Sequence, residues 1–290
     1  MASTFILQVI LGGTLLGGIY GLLSLGMTLN ISLLHIMNMA HGSLLILGAL
    51  SAYGLSIGLG LPPFSAVLLI PFTFGILGRV LYPLVPSSFF KRDPSQVFVS
   101  CLLITLGSAF ILEEISASVL SHPLIGLYSG FESWHWKGLT FSPLPIVLVL
   151  VLGGIILSLV YFLLRTDLGR SLRALAQDAE GAFLVGVPLG LTRAWAWAVS
   201  LALTGLAGVF YVLLFPLTPF IGLKITVMSL LMVMGAGSRH LTRSLGAGFF
   251  WGILESTGNA VWGHQWGALI PIAVFLLLAS LFPAGLKFSR

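Results

Sequence analysis

The sequence predicts an all-α fold: a polytopic integral membrane bundle of eight to nine transmembrane helices with one amphipathic helix on the cytoplasmic side. Three observations predict it. Hydrophobic residues make up 58% of the 290 residues and charged residues 7%, against roughly 25% charged in an ordinary soluble domain. Apolar runs recur at about the 20-residue length that a helix needs to cross a bilayer. Lysines and arginines fall in the short stretches between those runs, as they do at the cytoplasmic ends of membrane helices. A soluble fold is excluded, because a mean hydropathy of +1.10 leaves too little polar surface to cover an exterior. The chain reads as one membrane domain over residues 1–290.

Taken in order, the candidate spans lie near 5–29, 32–57, 63–86, 96–120, 141–164, 193–216, 221–238, 245–262 and 267–285. As a helix, each satisfies its own backbone in lipid. The opening run lacks the basic n-region of a secretory signal, and the first charged side chain is Arg79, so the run is expected to remain as a first span. Residues 30–42 are expected to interrupt the pattern as a broken helix, a re-entrant segment or a loop. Gly13, Gly17 and Gly21, and again Gly248 and Gly252, repeat at a spacing that stacks glycine on one helix face and admits a close neighbour. Tight packing is the ordinary reading of that face, and a substrate path the minority one. Lys91 with Arg92, the four arginines of 165–193, Arg239 with Arg243, and Lys287 with Arg290 are separated by pairs of spans. One rule therefore places all of them, and the C-terminus, in the cytoplasm. Loop 121–140 then faces outward, with Trp134 and Trp136 as interfacial anchors. The N-terminus lies outside for nine spans and inside for eight.

Polar residues inside the apolar runs are the candidates for function. Asn38, Ala40, His41 and Gly42 follow Asn30 and His35 in an otherwise apolar stretch. An interrupted helix there exposes backbone groups, which membrane proteins tolerate only inside protein or along a watery cavity, and broken helices often hold substrate. Asn38, His41 and Gly42 are thus candidates for the translocation path, the alternative being that they bond neighbouring helices. Glu255 lies mid-span beside Ser256, Thr257 and Asn259, and joins them as a path candidate, since intramembrane carboxylates are expensive. A structural hydrogen bond is the competing reading for it, and Glu113 and Glu114 are expected near the outer interface. No metal site is predicted, because His41 has no cysteine, carboxylate or second histidine at ligand spacing.

Residues 167–187 are different in kind. Thr166 or Asp167 begins the stretch as an N-cap, Leu172, Leu175, Ala179, Ala182 and Phe183 form one apolar face at helical spacing, and Gly186 with Pro188 ends it. Arg170, Arg173, Gln177, Asp178 and Glu180 fill the rest. Carboxylates disfavour simple adsorption to anionic lipid, so the helix is expected to meet a cytosolic protein through Arg170, Arg173, Asp178, Glu180, Phe183 and Gly186. The chain has no GxxxxGK[ST] phosphate loop, no HExxH and no GxSxG, which removes the sequence basis for a nucleotide site of that type or for those hydrolytic chemistries. The energy for any pumping is expected to come from other subunits. A self-sufficient ion-driven transporter is the competing class, and it would want a relay of charges in place of a docking helix.

The run GGIYGLLSLGMTLNISLLHIMNMAHGSLLILGA resembles the first signature of the LivH-type permeases, with the Asn-x-Ala-His-Gly core on Asn38, Ala40, His41 and Gly42. LGRSLRALAQDAEGAFLVGV resembles that family's cytoplasmic coupling loop, through Gly169, Arg173, Ala174, Asp178, Ala182 and Gly186. LTGLAGVFYV, GAGFFWGILES and FPAGL are similar in kind. The resemblance implies a non-enzymatic permease subunit of a bacterial inner-membrane ABC importer for branched-chain or other hydrophobic amino acids. A second related permease, two cytosolic ATPases that bind ATP and Mg, and an extracytoplasmic substrate-binding protein would complete it, with no nucleic acid involved. Importers of urea and short amides belong to the same family. The chain departs from the family pattern at Met234–Arg243, where a more glycine-rich run is usual, and at Glu113–Glu114, where an amide is expected.

Overall fold

The computed structural model describes residues 2–84, 94–119, 126–127, 134–136, 139–141, 143–218, 220–237 and 239–281. In order these form α1 (Ala2–Leu34), α2 (His41–Gly58), α3 (Ala66–Leu81), α4 (Pro94–Val119), α5 (Leu144–Arg165), α6 (Asp167–Gln177) and α7 (Ala179–Leu184). They continue with α8 (Leu189–Leu214), α9 (Gly222–Ala236), α10 (Leu241–Trp262), α11 (His264–Gly267) and α12 (Leu269–Leu281). Between α4 and α5, where an outward loop was expected, β1 (Trp134–Trp136) and β2 (Leu139–Phe141) pair antiparallel, with Trp134 opposite Phe141. The backbone of the two predicted tryptophan anchors lies in this hairpin. Lys91, Arg92, Lys287 and Arg290 lie outside the described residues.

Six described helical segments are long and apolar enough to cross a membrane: Leu7–Leu34, His41–Gly58, Pro63–Leu84, Val97–Val119, Leu144–Arg165 and Leu189–Leu214. α9, α10 and α12 occupy the remaining predicted runs. With 15 and 13 residues, α9 and α12 are shorter than the roughly 20 that a straight crossing takes. Burial separates centre from rim. The spans of α1 and α8 are 72% buried and those of α4 and α5 17%, so the first pair forms the core and the second presents its sides outward.

Glycine makes that core possible. α1 and α10 lie so close that a methyl group on Gly248 would overlap the backbone of Gly21, and one on Gly252 that of Gly17. The four-residue glycine spacing thus serves helix packing, the ordinary reading of such a face. α8 makes similar contacts on other sides: Gly208 faces the Leu45 carbonyl of α2, and Gly78 of α3 stands where a Cβ would come 2.9 Å from Ala198 Cα. Around these seams close the apolar side chains of Ile19, Leu22, Leu23, Leu45, Ile46 and Phe210, all fully buried.

Candidate functional site: a buried polar joint and an exposed helical tip

α1 ends at Leu34, where His35 turns left-handed with φ 55, a conformation that costs a residue with a Cβ. α2 begins at His41, so the interruption expected over 30–42 narrows to 35–40, and Asn30 belongs to α1. The exposed backbone of this joint is then answered group by group. Asn38 Oδ1 accepts the Ala40 N–H at 3.0 Å, and the Asn38 carbonyl accepts the His41 N–H at 3.3 Å, which sets the turn into α2. Thr105 Oγ1 from α4 accepts the Met39 N–H at 3.0 Å and stands 3.2 Å from the Met37 carbonyl. Thr226 Oγ1 from α9 accepts the Gly42 N–H at 2.8 Å and stands 3.1 Å from the Met39 carbonyl. Irregular backbone in a membrane needs such partners. Their helices, α4 and α9, are far from the joint in sequence.

His41 is fully buried at the start of α2. Its Nε2–H donates to the Leu23 carbonyl of α1 at 3.0 Å, and the Thr204 hydroxyl of α8 lies 3.3 Å from Nδ1. Gly42 sits against α9 so tightly that a methyl group would overlap the Gly222 carbonyl. Asn38, His41 and Gly42 therefore form one cluster, where α1, α2, α8 and α9 meet. Asn30 is buried nearby in sequence with an amide that makes no hydrogen bond among the described residues.

Glu255 is not part of that cluster. It is buried on α10, where it accepts the Tyr20 hydroxyl of α1 at 2.8 Å, with Met228 Sδ of α9 3.6 Å from the same hydroxyl. Glu113 is buried within the protein. Its Oε1 accepts the Leu223 N–H at 3.0 Å and the Ser43 hydroxyl at 3.4 Å. The carboxylate thus caps the first turn of α9 from a neighbouring helix, where free N–H groups and the helix dipole favour negative charge. Glu114, next in sequence, is exposed.

The polar segment between α5 and α8 is two helices where the sequence suggested one. Thr166 Oγ1 accepts the Gly169 N–H at 3.0 Å and starts α6. Gly169 lies against the end of α5, where a methyl would overlap the Phe162 carbonyl, and Leu172, Leu175 and Ala176 turn inward. Arg173 Nη2 donates to the Leu164 carbonyl at 3.4 Å, holding the corner. Arg170 is exposed and pairs with Asp167 at 2.9 Å. Asp178 then breaks the helix: its backbone is extended, and its Oδ1 accepts the Glu180 N–H at 3.0 Å as the N-cap of α7.

The break turns α7 relative to α6. Ala182 stays buried, while Phe183, its neighbour on the predicted apolar face, is 66% exposed, and Leu184 and Val185 are 83% and 80% exposed. Gly186, at φ +86, closes α7, with Val187 N–H donating to the Ala182 carbonyl and Gly186 N–H to that of Phe183, both at 3.0 Å. This is the glycine-dependent helix stop in which the last carbonyls are satisfied by the turn itself. An apolar tip is thereby held outward at the end of a polar pair of helices. Among the described residues no group of three or more His, Cys, Asp or Glu is placed to hold a metal ion.

Residues 9–279 match the family model described as "Branched-chain amino acid transport system / permease component". A Methanocaldococcus jannaschii protein, "Probable branched-chain amino acid transport permease protein LivH", is 27% identical over 92% of this chain and 89% of its own length. The Escherichia coli K12 "High-affinity branched-chain amino acid transport system permease protein LivH" is 25% identical over 97% of this chain and 95% of its own. BraD, of the corresponding Pseudomonas aeruginosa system, is 24% identical over the same shares. Among solved structures, "PsaBC from Streptococcus pneumoniae in complex with Fab" shares the fold, with a TM-score of 0.52 at 17% identity, covering 96% of this chain and 95% of that one.

Proposed function

The chain belongs to the family of branched-chain amino acid transport permease components, and from that premise we propose that it is one transmembrane half of an ATP-driven importer of branched-chain or similar hydrophobic amino acids. It works in a bacterial inner membrane with its C-terminus in the cytoplasm. A second related permease completes the path, two cytosolic ATPases bind ATP and Mg, and an extracytoplasmic binding protein delivers the substrate.

The observation that carries this reading is the α6–α7 pair. A polar segment between two membrane helices holds Phe183, Leu184 and Val185 away from the protein. Buried Leu172 and Leu175, Gly169 and the Arg173 bond to α5 anchor its other side. Such a lever passes a push from a soluble partner to α5 and α8. Arg170, Asp178, Glu180 and Gly186 surround or shape the tip and set its docking geometry. Asn38, His41 and Gly42 shape the path by fixing where α2 starts. Glu255 does so by tying α10 to α1, so that movement of α8 or α10 reaches the substrate route through packed backbone.

The test is to extract the tagged chain gently from its native membrane and identify what comes with it by mass spectrometry. Two phosphate-loop ATPases and a second permease are the expected companions. A chain that emerges alone and still transports in ATP-free liposomes would overturn the reading.

A further inference from the structure

Between α9, α10 and α12 lies a cavity of about 410 Å³, lined by Leu231, Arg243, Gly246, Phe250, Trp251 and Phe275. Its walls are apolar, and Arg243 is the charged side chain among the residues that line it. Arg243 is exposed and makes no ion pair among the described residues. Trp251 is 4% exposed, and its indole N–H has no hydrogen-bond partner among the described residues.

The groove has the depth of one leaflet. Arg243 and Trp251 are eight positions apart on α10, about 12 Å along the axis, and half of a roughly 30 Å hydrocarbon core is about 15 Å. Arg243 stands at the end that the distribution of arginines places in the cytoplasm, where the headgroups of the inner leaflet lie. Helical side chains lean toward their helix N-terminus, so the Trp251 indole leans toward that same end. Basic residues at the cytoplasmic mouth of an inter-helical pocket suit anionic headgroups.

We propose that this groove is a binding site for one anionic phospholipid of the inner leaflet. An acyl chain fills the space between α9, α10 and α12 against Trp251 and Phe275, and Arg243 meets the phosphate. The inference rests on the membrane-spanning fold and is independent of the substrate carried.

The test uses the full-length chain with its co-purifying subunits, reconstituted in phosphatidylcholine vesicles containing brominated phosphatidylglycerol or brominated phosphatidylcholine. Bromine quenches tryptophan, and subtraction of a Trp251→Phe variant isolates the Trp251 emission. Half-maximal quenching is expected at about fivefold less phosphatidylglycerol than phosphatidylcholine, the factor that one basic residue contributes beside an anionic headgroup. Arg243→Gln removes that preference. Gly246→Leu abolishes quenching by both lipids, because a side chain there enters open space and fills the groove without disturbing the fold. Equal quenching by the two lipids in the unaltered protein would reduce the site to ordinary boundary lipid and overturn the proposal. So would a preference that survives Arg243→Gln, or quenching that survives Gly246→Leu. Absence of quenching by either lipid, with a Gly246→Cys variant cross-linking to another subunit, would assign the groove to a protein partner instead.

Discussion

The joint between α1 and α2 and the pair α6–α7 are both polar islands in an apolar chain, and the fold disposes of them in opposite ways. At the joint, Asn38, Thr105 and Thr226 spend their hydrogen bonds on backbone that would otherwise stand unpaired in the membrane, and His41 ties the start of α2 to α1. At α6–α7 the backbone is satisfied by ordinary helix caps, and what remains outward is an apolar tip. Polarity in the first region supports irregular structure, whereas in the second it carries an apolar tip away from the rest of the fold. Changes at the joint and its neighbouring seams should therefore register as lost stability, and changes at the tip as lost work.

The sharpest contrast comes from the glycine seam behind the joint. Gly252→Leu drives a side chain into the backbone of Gly17 and should cost about 3 kcal/mol or more, at the top of the usual range for overpacking. Loss of a monodisperse peak in size-exclusion chromatography would register it. Gly246→Leu on the same helix should leave the peak intact, and equal behaviour of the two variants would break the account of the seam. Next in size is Thr226→Val, which leaves the Gly42 N–H unpaired and should lower stability by about 1–3 kcal/mol. A drop in thermal unfolding temperature in detergent is the readout, and an unchanged temperature would mean that the joint finds other partners.

Glu113→Gln is milder. The amide carbonyl can still accept the Leu223 N–H, but the negative charge at the start of α9 is lost, an effect of about 0.3–1 kcal/mol, rising toward about 2 when partly buried. The same thermal measurement should place it below Thr226→Val. Smallest of all in stability is Phe183→Ala, expected within about 0.5 kcal/mol as a surface change. In proteoliposomes of the complete assembly, however, ATP hydrolysis should continue while substrate uptake falls steeply. Normal uptake would count against the tip as the point where force enters.

Much of this division was legible in the sequence. Hydropathy placed the membrane runs, because a bilayer demands length and apolarity from each one separately. The clustered Asn38, His41 and Gly42 marked the joint, since polar side chains and glycine together in an apolar run signal an interrupted helix. What escaped was long-range. Thr105 and Thr226 are single threonines in apolar helices, and nothing near them in sequence shows which distant carbonyl or amide they will meet. The partner of Glu113 escaped for the same reason: it is the first turn of α9, more than a hundred residues on. The break at Asp178 had a local sign, an Asp placed two residues before Glu180 as a helix cap. Read as part of a continuous helix, it put Phe183 on one face with Leu172 and Leu175, and the added turn at 178 is what separates exposed Phe183 from those buried leucines.

The central claim, that the α7 tip seats on a cytosolic ATPase, is most directly tested by chemistry at Leu184. Cys101 is the sole cysteine of the chain and is buried, so a Leu184→Cys variant presents one accessible thiol at the tip. A short bifunctional thiol-to-amine cross-linker, applied to native membranes, should join that thiol to a phosphate-loop ATPase, with a yield that changes when ATP is added. A thiol that reacts freely with a soluble maleimide, yet links to no ATPase with or without nucleotide, would contradict the account.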